Sequence, residues 1–402
     1  MTKLKNITLN SYINYLFVLY AFLVPMSRAG ISILTALLLV LWLFSDNFKD
    51  KIEFLKSNRV VMYLFAFIAF SILSLLWSDN LSSGIYYIRK YWYYLTIPVI
   101  ATTIEKRFLA YGVSAFLSGM LISEIISYGI IFGFWTFMHG TPDFPTPFMS
   151  HIQYSMFLAF TSLLLLNRFF YESRVKYKIF YLLYFLTVTA NLFLNAGRTG
   201  QVAFLISIFI VAFLNIKNRL LAFTTILIFV VSIFYMAYNI SSVFKARIDV
   251  GINDITSIIE QGEYCNSIGL RIGVWRVGSE IFLDNPILGT GATDKMNKLA
   301  EYITKNHPDM ECVKHMPSYH NYYVQTAVRQ GIIGLFLYLM IFYTLLRLNT
   351  KNREYFNMVI IFVSIYSISS MFETMFHEQF SEAILALFVG IFIAEKRTED
   401  EA

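Results

Sequence analysis

The sequence predicts an all-α polytopic membrane protein with about twelve transmembrane helices and one large periplasmic loop that itself contains helices. Of the 402 residues, 57% are hydrophobic and only 14% are charged, whereas soluble domains carry about 25% charged residues. The apolar residues also run in stretches of about 20, the length with which a helix crosses a bilayer core of roughly 30 Å. Membrane lipids are therefore the expected surroundings, and no nucleic-acid partner is expected.

Hydropathy predicts the individual spans, which are centred near residues 18, 37, 68, 95, 122, 159, 187, 208, 229, 339, 363 and 387. The first apolar run, from Ile13 to Val24, superficially resembles a secretory signal. Arg28 follows it where a small-residue cleavage site would lie, and a second apolar run begins at once. We therefore expect an uncleaved first span.

Basic residues predict the orientation, because positively charged short loops stay in the cytoplasm. More than half of the 32 basic residues fall at the N-terminus or in alternate loops, namely Lys3, Lys5, Lys49, Lys51, Lys56, Arg59, Lys106, Arg107, Arg168, Arg174, Lys176, Lys178, Lys217, Arg219, Arg347, Lys351, Arg353, Lys396 and Arg397. Both termini are thus predicted to face the cytoplasm of a bacterium. The chain divides into spans one to nine (1–240), a large periplasmic loop (241–319), and spans ten to twelve with a short cytoplasmic tail (320–402).

The large loop holds both cysteines, Cys265 and Cys312. In an oxidising periplasm they could form a disulfide worth roughly 4 kcal/mol on the chain-entropy model, but two free thiols are equally compatible with the sequence. His307 and His315 lie near Cys312 at a spacing that fits no common zinc pattern. We expect no metal and no cofactor.

A tight turn between two spans, residues 195–200, carries Arg198. Asn195 or Thr199 is predicted to cap a helix that begins near Gln201. A helix start beside a guanidinium group is suited to bind an anion such as phosphate. The alternative is that Arg198 only reaches toward lipid headgroups.

Two further polar clusters lie in and after the large loop. Arg271 and Trp275 are four residues apart, on one face of a helix if one forms there, and an Asn-Pro-x-x-Gly-x-Gly stretch follows at residues 285–291. Next come His320 and Asn321, then Gly-x-x-Gly at 331–334. The preceding Pro and Ser predict a helix start that places His320 in the first turn, where the helix dipole favours the neutral imidazole that a general base requires. A lone histidine there is alternatively structural.

The pattern of His-Asn, nine residues and Gly-x-x-Gly resembles the signature of the O-antigen ligase and O-antigen polymerase superfamily. The twelve spans, the large loop before His320, the Arg198 turn and the Arg271 element agree with it over roughly residues 180–380. The resemblance implies that His320 is catalytic and that Arg198 and Arg271 bind pyrophosphate. It also implies a carboxylate between the last two spans, where this sequence has Glu373 and the family pattern has Asp. Possible supporting residues are Arg276, Asn321 and Lys90.

What the resemblance implies is a glycosyltransferase of lipopolysaccharide biosynthesis at the periplasmic face of the inner membrane. Its donor would be a glycan on undecaprenyl pyrophosphate and its acceptor a lipid A-core sugar hydroxyl. An O-antigen polymerase would use the same donor, and a protein-glycosylating relative is a further alternative. From another class, a lipid-linked glycan flippase or transporter would need charged groups along a central pathway. The main ionisable residue in the spans is Glu124, which we expect to be structural.

Overall fold

A computed structural model of the chain describes residues 9–138, 140–293 and 296–401. These residues form α-helices and short 3₁₀ segments joined by turns and loops, and no β-strand occurs among them. The helices are α1 Leu9–Leu23, α2 Arg28–Leu43, α3 Phe48–Ser57, α4 Arg59–Leu73, α5 Leu81–Ile88, α6 Thr96–Thr103, α7 Lys106–Ile131, α8 His151–Tyr171, α9 Val175–Leu194, α10 Arg198–Asn215, α11 Arg219–Ile240, α12 Ser242–Gln261, α13 Ser267–Asp284, α14 Asn297–Asn306, α15 Tyr322–Leu346, α16 Arg353–Ser370 and α17 Gln379–Asp400. Lys3 and Lys5, which contribute to the predicted orientation, lie outside the described residues.

Judged by length and composition, fewer helices qualify as membrane spans than the twelve predicted from the sequence. Among the described residues, six helices are long and apolar enough to cross a membrane, namely α4 with the turn after it, α7, α9, α10, α11 and α15. A seventh would be α2 with α3, which are bent by 112° at their junction. The polytopic helical class is confirmed, but twelve spans are not.

The difference has three physical causes. Helix α1, predicted as the first span, is apolar but has only 15 residues, fewer than any of the six. Near residue 95 the predicted span is interrupted, because a 3₁₀ segment at Arg89–Leu95 separates the short helices α5 and α6. The helices α8, α16 and α17 are at least 18 residues long but more polar than the six. Hydropathy alone did not distinguish an interrupted or polar helix from a continuous apolar one.

Helices α8 and α17 form the centre of the bundle. Almost every residue of α17 from Phe380 to Ala394 is fully buried, and so is most of α8. Phe116, Phe160 and Phe362 pack around Phe388 of α17 with ring centroids 4.6 to 5.6 Å apart. At the other extreme only 11% of the apolar stretch of α11 is buried. Its exposed side chains are suited to contact lipid.

The stretch between α11 and α15, residues 241–321, is called the interhelical segment here. Helices α13 and α14 and a 3₁₀ segment at Pro308–His315 enclose a small core of their own, which includes Val274, Leu299, Ile303 and Val313. Cys265 and Cys312 are joined in a disulfide, a pairing that the sequence left open. The bond fastens the residues before α13 to the 3₁₀ segment that leads to His320.

A break in α15 receives a loop of the interhelical segment. Gly331 has φ +62° and interrupts the helix, and the freed N–H of Ile332 donates to the carbonyl of Pro286. Thr290 and Gly291 donate in turn to the carbonyls of Val328 and Arg329. A Cβ at Gly331 would clash with the Ile287 carbonyl. The two glycine motifs therefore meet in one backbone contact.

Candidate functional site

His320 and Glu373 form a direct pair. His320 Nδ1 lies 3.0 Å from Glu373 Oε2, and their side chains are 18% and 10% exposed. The second carboxylate oxygen of Glu373 accepts a hydrogen bond from the N–H of Thr374, which fixes the carboxylate in place. When Nδ1 carries the proton and donates to Glu373, Nε2 has a free lone pair. The ring is then oriented to accept a proton from a substrate.

The predicted position of His320 in a helix was wrong. Helix α15 begins at Tyr322, and Asn321 is its N-cap, because the Asn321 side chain accepts hydrogen bonds from the N–H groups of Tyr323 and Val324. His320 precedes the cap with φ +44°, a left-handed conformation that is uncommon outside glycine. The contact with Glu373, rather than membership of the first helical turn, therefore orients the ring.

Trp275 connects α13 to this histidine. Its indole Nε1 donates to the carbonyl oxygen of Tyr319, the residue before His320, at 2.9 Å. Gly278, one turn further along α13, leaves room for the Tyr319 ring, which a Cβ would approach to 2.9 Å. Trp275 of the Arg-x-x-x-Trp element thus has a structural role. Arg271 lies about one helical turn before Trp275 in the same helix.

Three arginines converge near the start of α8. Arg198 lies within electrostatic range of Arg247 and Arg271. These three arginines and Glu373 all lie within electrostatic range of His151. The Phe144 ring lies beside both Arg247 and His151. Its centroid is 5.5 Å from the Arg247 guanidinium carbon and 5.2 Å from the centroid of the His151 ring. The Arg198, Arg247 and Arg271 side chains are called the arginine cluster below.

The turn that carries Arg198 is fixed against α8. Gly200 N–H donates to Ser155 Oγ at 3.0 Å, and a Cβ at Gly197 would clash with the His151 carbonyl. The predicted helix cap was wrong, because α10 begins at Arg198 itself and Asn195 accepts instead from the N–H of Gly197 within the turn. Arg198 and His151 are therefore adjacent through backbone packing.

The arginine cluster has more positive charge than its surroundings neutralise. Within the described part of the chain none of its guanidinium groups forms an ion pair, and Arg271 Nε is buried without a hydrogen-bond partner. Asp254 attracts Arg198, but Asp254 Oδ2 also accepts from the N–H of Ile268. Like charges held together with unused donors favour the binding of an anion.

The sequence did not single out Arg247 or His151. Arg247 lies in α12, whose residue pattern carries no motif, and it reaches the cluster because α12 passes beside the start of α10. A Cβ at Gly251 would be only 3.5 Å from Arg198 Nη1. His151 does have a weak signal, since it follows Ser150, the N-cap of α8.

The three possible supporting residues have other contacts. Arg276 is half exposed and lies 3.6 Å from Glu280, and a hydrogen bond with Tyr264 raises the pKa of Arg276. Asn321 caps α15, as described above. Lys90 Nζ is 5.7 Å from the centroid of the Tyr86 ring. Each therefore has a structural explanation of its own.

In the ranges that the structure describes, no group of three His, Cys, Asp or Glu side chains could hold a metal ion. His307 pairs with Glu280 at 2.7 Å, and Cys312 is taken up in the disulfide. The described side chains at the site provide an imidazole, a carboxylate and guanidinium groups.

Fold and site together define a helical membrane protein in which a histidine–carboxylate pair lies near an arginine cluster. Residues 183–339 match the family model described as O-antigen ligase, and this range contains all three arginines and His320. The match confirms, over residues 183–339, the resemblance to the O-antigen ligase superfamily that the sequence predicted.

The chain is also similar to a relative over part of its length. The chain is 24% identical over 220 residues to an uncharacterised protein of Haemophilus influenzae, and the alignment covers 52% of this chain and 55% of that protein. The chain thus spans about half the length of the curated relative it matches. Glu373 lies outside the range of the family model, so its assignment depends on its contact with His320.

Proposed function

We propose that the chain transfers a glycan from undecaprenyl pyrophosphate to a sugar hydroxyl of lipid A-core at the periplasmic face of the inner membrane. The observation that carries this proposal is the 3.0 Å contact between His320 Nδ1 and Glu373 near the arginine cluster. The glycosyl pyrophosphate bond of the donor supplies the energy. The protein therefore needs only to position two substrates, accept a proton and stabilise a leaving anion.

An apolar groove supports a polyprenyl donor. It has a volume of about 410 Å³, lies between α9 and α11, and is lined by side chains such as Phe193, Phe229 and Met236. Leu194 and Ser241 end it, and Arg198 and Arg247 follow them closely in sequence. A lipid pyrophosphate can place its hydrocarbon chain in this groove while the arginine cluster binds its phosphates.

In the proposed reaction the acceptor hydroxyl attacks the anomeric carbon of the donor sugar. Its proton passes to Nε2 of His320 as the new carbon–oxygen bond forms, while Nδ1–H donates to Glu373 and fixes the tautomer. The bond between the anomeric carbon and the pyrophosphate oxygen breaks, and its electron pair leaves with the pyrophosphate. The arginine cluster stabilises that charge, and loss of one such contact costs on the order of 3 kcal/mol, about a hundredfold in rate.

The distribution of basic residues supports a periplasmic site. Lys and Arg are concentrated in the loops at the opposite ends of α9, α10 and α15 from Asn195, Arg198 and His320. By the positive-inside rule those basic loops face the cytoplasm. We accordingly propose that residues 241–319 are the large periplasmic loop and that the site opens on that side.

The test is transfer by the purified full chain in lipid nanodiscs, with a polyprenyl-pyrophosphate glycan and lipid A-core. His320→Ala is expected to lose about 10²- to 10⁴-fold in rate, the usual contribution of a general base. His315→Ala is the matched control, because His315 is exposed in the same segment. Full activity of His320→Ala would overturn the mechanism.

The identity of the product separates the candidate reactions. Glycan attached to lipid A-core indicates a ligase, whereas glycan attached to a second lipid-linked glycan indicates a polymerase. A flippase or transporter would move the lipid-linked glycan across the membrane without a covalent product and without a requirement for His320.

A further inference from the structure

A cleft in the interhelical segment is separate from the arginine cluster and the histidine. It has a volume of about 740 Å³ and lies between the end of α13, the loop that follows it, α14 and the residues after α4. This volume is within the range of specific ligand pockets. Its lining combines two aromatic residues, Trp77 and Tyr302, with charged residues that include Asp79, Asp284 and Lys298.

Contacts between the surrounding elements hold the cleft open in a defined shape. Tyr302 donates its hydroxyl to Asp284 Oδ2 at 2.7 Å, which joins α14 to the end of α13. Lys298 Nζ lies 3.3 Å from Asp79 Oδ2 and joins α14 to the turn after α4. Trp77 Nε1 donates to the carbonyl of Leu288 in the floor of the cleft at 3.3 Å. The polar groups are therefore arranged before any ligand enters.

The composition of the lining favours a saccharide. Aromatic rings pack against the C–H faces of sugars, and neighbouring carboxylate and amide groups accept and donate hydrogen bonds with hydroxyl groups. Among the described residues that line the cleft are three carboxylates, from Asp79, Asp284 and Glu301, and two lysines, Lys298 and Lys305. This balance disfavours a phosphate group, which the arginine cluster is better suited to bind.

Distance along the helices separates the cleft from the reacting groups. Asp284 lies thirteen residues after Arg271 in α13, about 20 Å at the helical rise of 1.5 Å per residue. The loop that forms the floor of the cleft contacts α15 at Arg329. Arg329 is seven residues after the start of α15 beside His320, and this separation corresponds to at least about 10 Å along the helix. A sugar in the cleft is therefore several units away from the sugar that reacts.

We propose that this cleft binds an oligosaccharide segment of a substrate at a distance from the site of transfer. The proposal rests on the proposed glycosyl transfer for its kinetic consequences, but binding itself does not depend on transfer. The saccharide could belong to the donor glycan or to the acceptor core, and both present the same hydroxyl-rich chemistry. The cleft would then select substrates by glycan length.

The kinetic test varies the two chain lengths independently. With a long donor glycan or a long acceptor core, Tyr302→Phe and Asp284→Asn are expected to raise KM about tenfold, equivalent to roughly 1.4 kcal/mol, with little change in kcat. With a donor carrying one sugar and a truncated acceptor, KM should be unchanged. Dependence on donor length assigns the cleft to the donor, and dependence on acceptor length assigns it to the acceptor. A KM change independent of both lengths would overturn the proposal.

The binding test is independent of catalysis. Oligosaccharide released by mild acid from the lipid-linked donor, or from lipid A-core, is titrated into full-length His320→Ala protein and followed by saturation-transfer NMR. Binding should weaken about tenfold in the added Trp77→Ala or Tyr302→Phe variant and be unchanged by Glu311→Gln, an exposed carboxylate paired with Lys314 outside the cleft. Absent binding, or equal binding in all variants, would contradict the proposal, whereas failure of wild-type transfer with binding intact would contradict only the proposed function.

Discussion

Replacing Glu373 by glutamine tests whether a carboxylate orients the imidazole of His320. The substitution keeps the size of the side chain but removes the charge from the 3.0 Å contact with Nδ1. A hydrogen bond to a charged group contributes about 1.5 to 3 kcal/mol, equivalent to roughly 10- to 100-fold in rate. The glutamine can also present its NH₂ group to Nδ1 and so favour the wrong tautomer. We therefore expect kcat to fall about 100-fold while the KM for the lipid donor changes little.

The assay is steady-state transfer by purified protein in nanodiscs, with melting temperature measured in parallel. The double variant His320→Ala, Glu373→Gln should be no slower than His320→Ala alone, because the carboxylate acts through the ring. Glu263→Gln changes a carboxylate of the turn between α12 and α13 and serves as the control. Unchanged kcat in Glu373→Gln, or additive losses in the double variant, would refute the orienting role.

Four further predictions concern the arginine cluster, the break in α15, the disulfide and the effect of a chelator. Arg247→Ala should raise the KM for the lipid-pyrophosphate donor at least tenfold, measured by the same transfer assay, because Arg247 shares the arginine cluster; an unchanged donor KM would remove it from the site. Gly331→Ala should lower the melting temperature by several degrees, since the residue has φ +62° and its Cβ would clash with the Ile287 carbonyl; wild-type stability would contradict this contact. Reduction of the disulfide, or Cys265→Ser with Cys312→Ser, should destabilise the interhelical segment by roughly 4 kcal/mol, seen as faster proteolysis there; equal protease resistance would count against it. Transfer should persist in chelator, and activity lost in EDTA and restored by Mg²⁺ or Mn²⁺ would contradict the metal-independent mechanism.

The candidate site residues were predicted from the resemblance to the O-antigen ligase and O-antigen polymerase superfamily, which the spacing of His320, Asn321 and the Gly-x-x-Gly motif carries. Two of these residues, His320 and Glu373, are 53 residues apart in sequence and in contact in the structure. Two others, Arg198 and Arg271, lie within electrostatic range of each other. These residues lie beside turns and glycines, where the backbone conformation restricts which residue types can occur. Their roles in the reaction remain predictions.

Arg247 could not be predicted because its place depends on tertiary packing. Its helix, α12, has no turn or glycine motif at Arg247. The packing of α12 beside Arg198, close to Gly251, brings Arg247 to the cluster. The interruption at Arg89–Leu95 was missed for a similar reason. The segment begins with Arg89 and Lys90 and is otherwise mostly aromatic. Hydropathy averaged over the apolar residues that follow it therefore did not reveal the break.

The most direct measurement of the central claim is a cryo-EM map of the full-length His320→Ala protein with a polyprenyl-pyrophosphate glycan. The substitution should slow turnover strongly and leave the arginine cluster intact. We expect diphosphate density in contact with Arg198, Arg247 and Arg271, and the anomeric carbon on the side of residue 320. Diphosphate bound elsewhere, or an anomeric carbon out of reach of residue 320, would contradict the proposed mechanism.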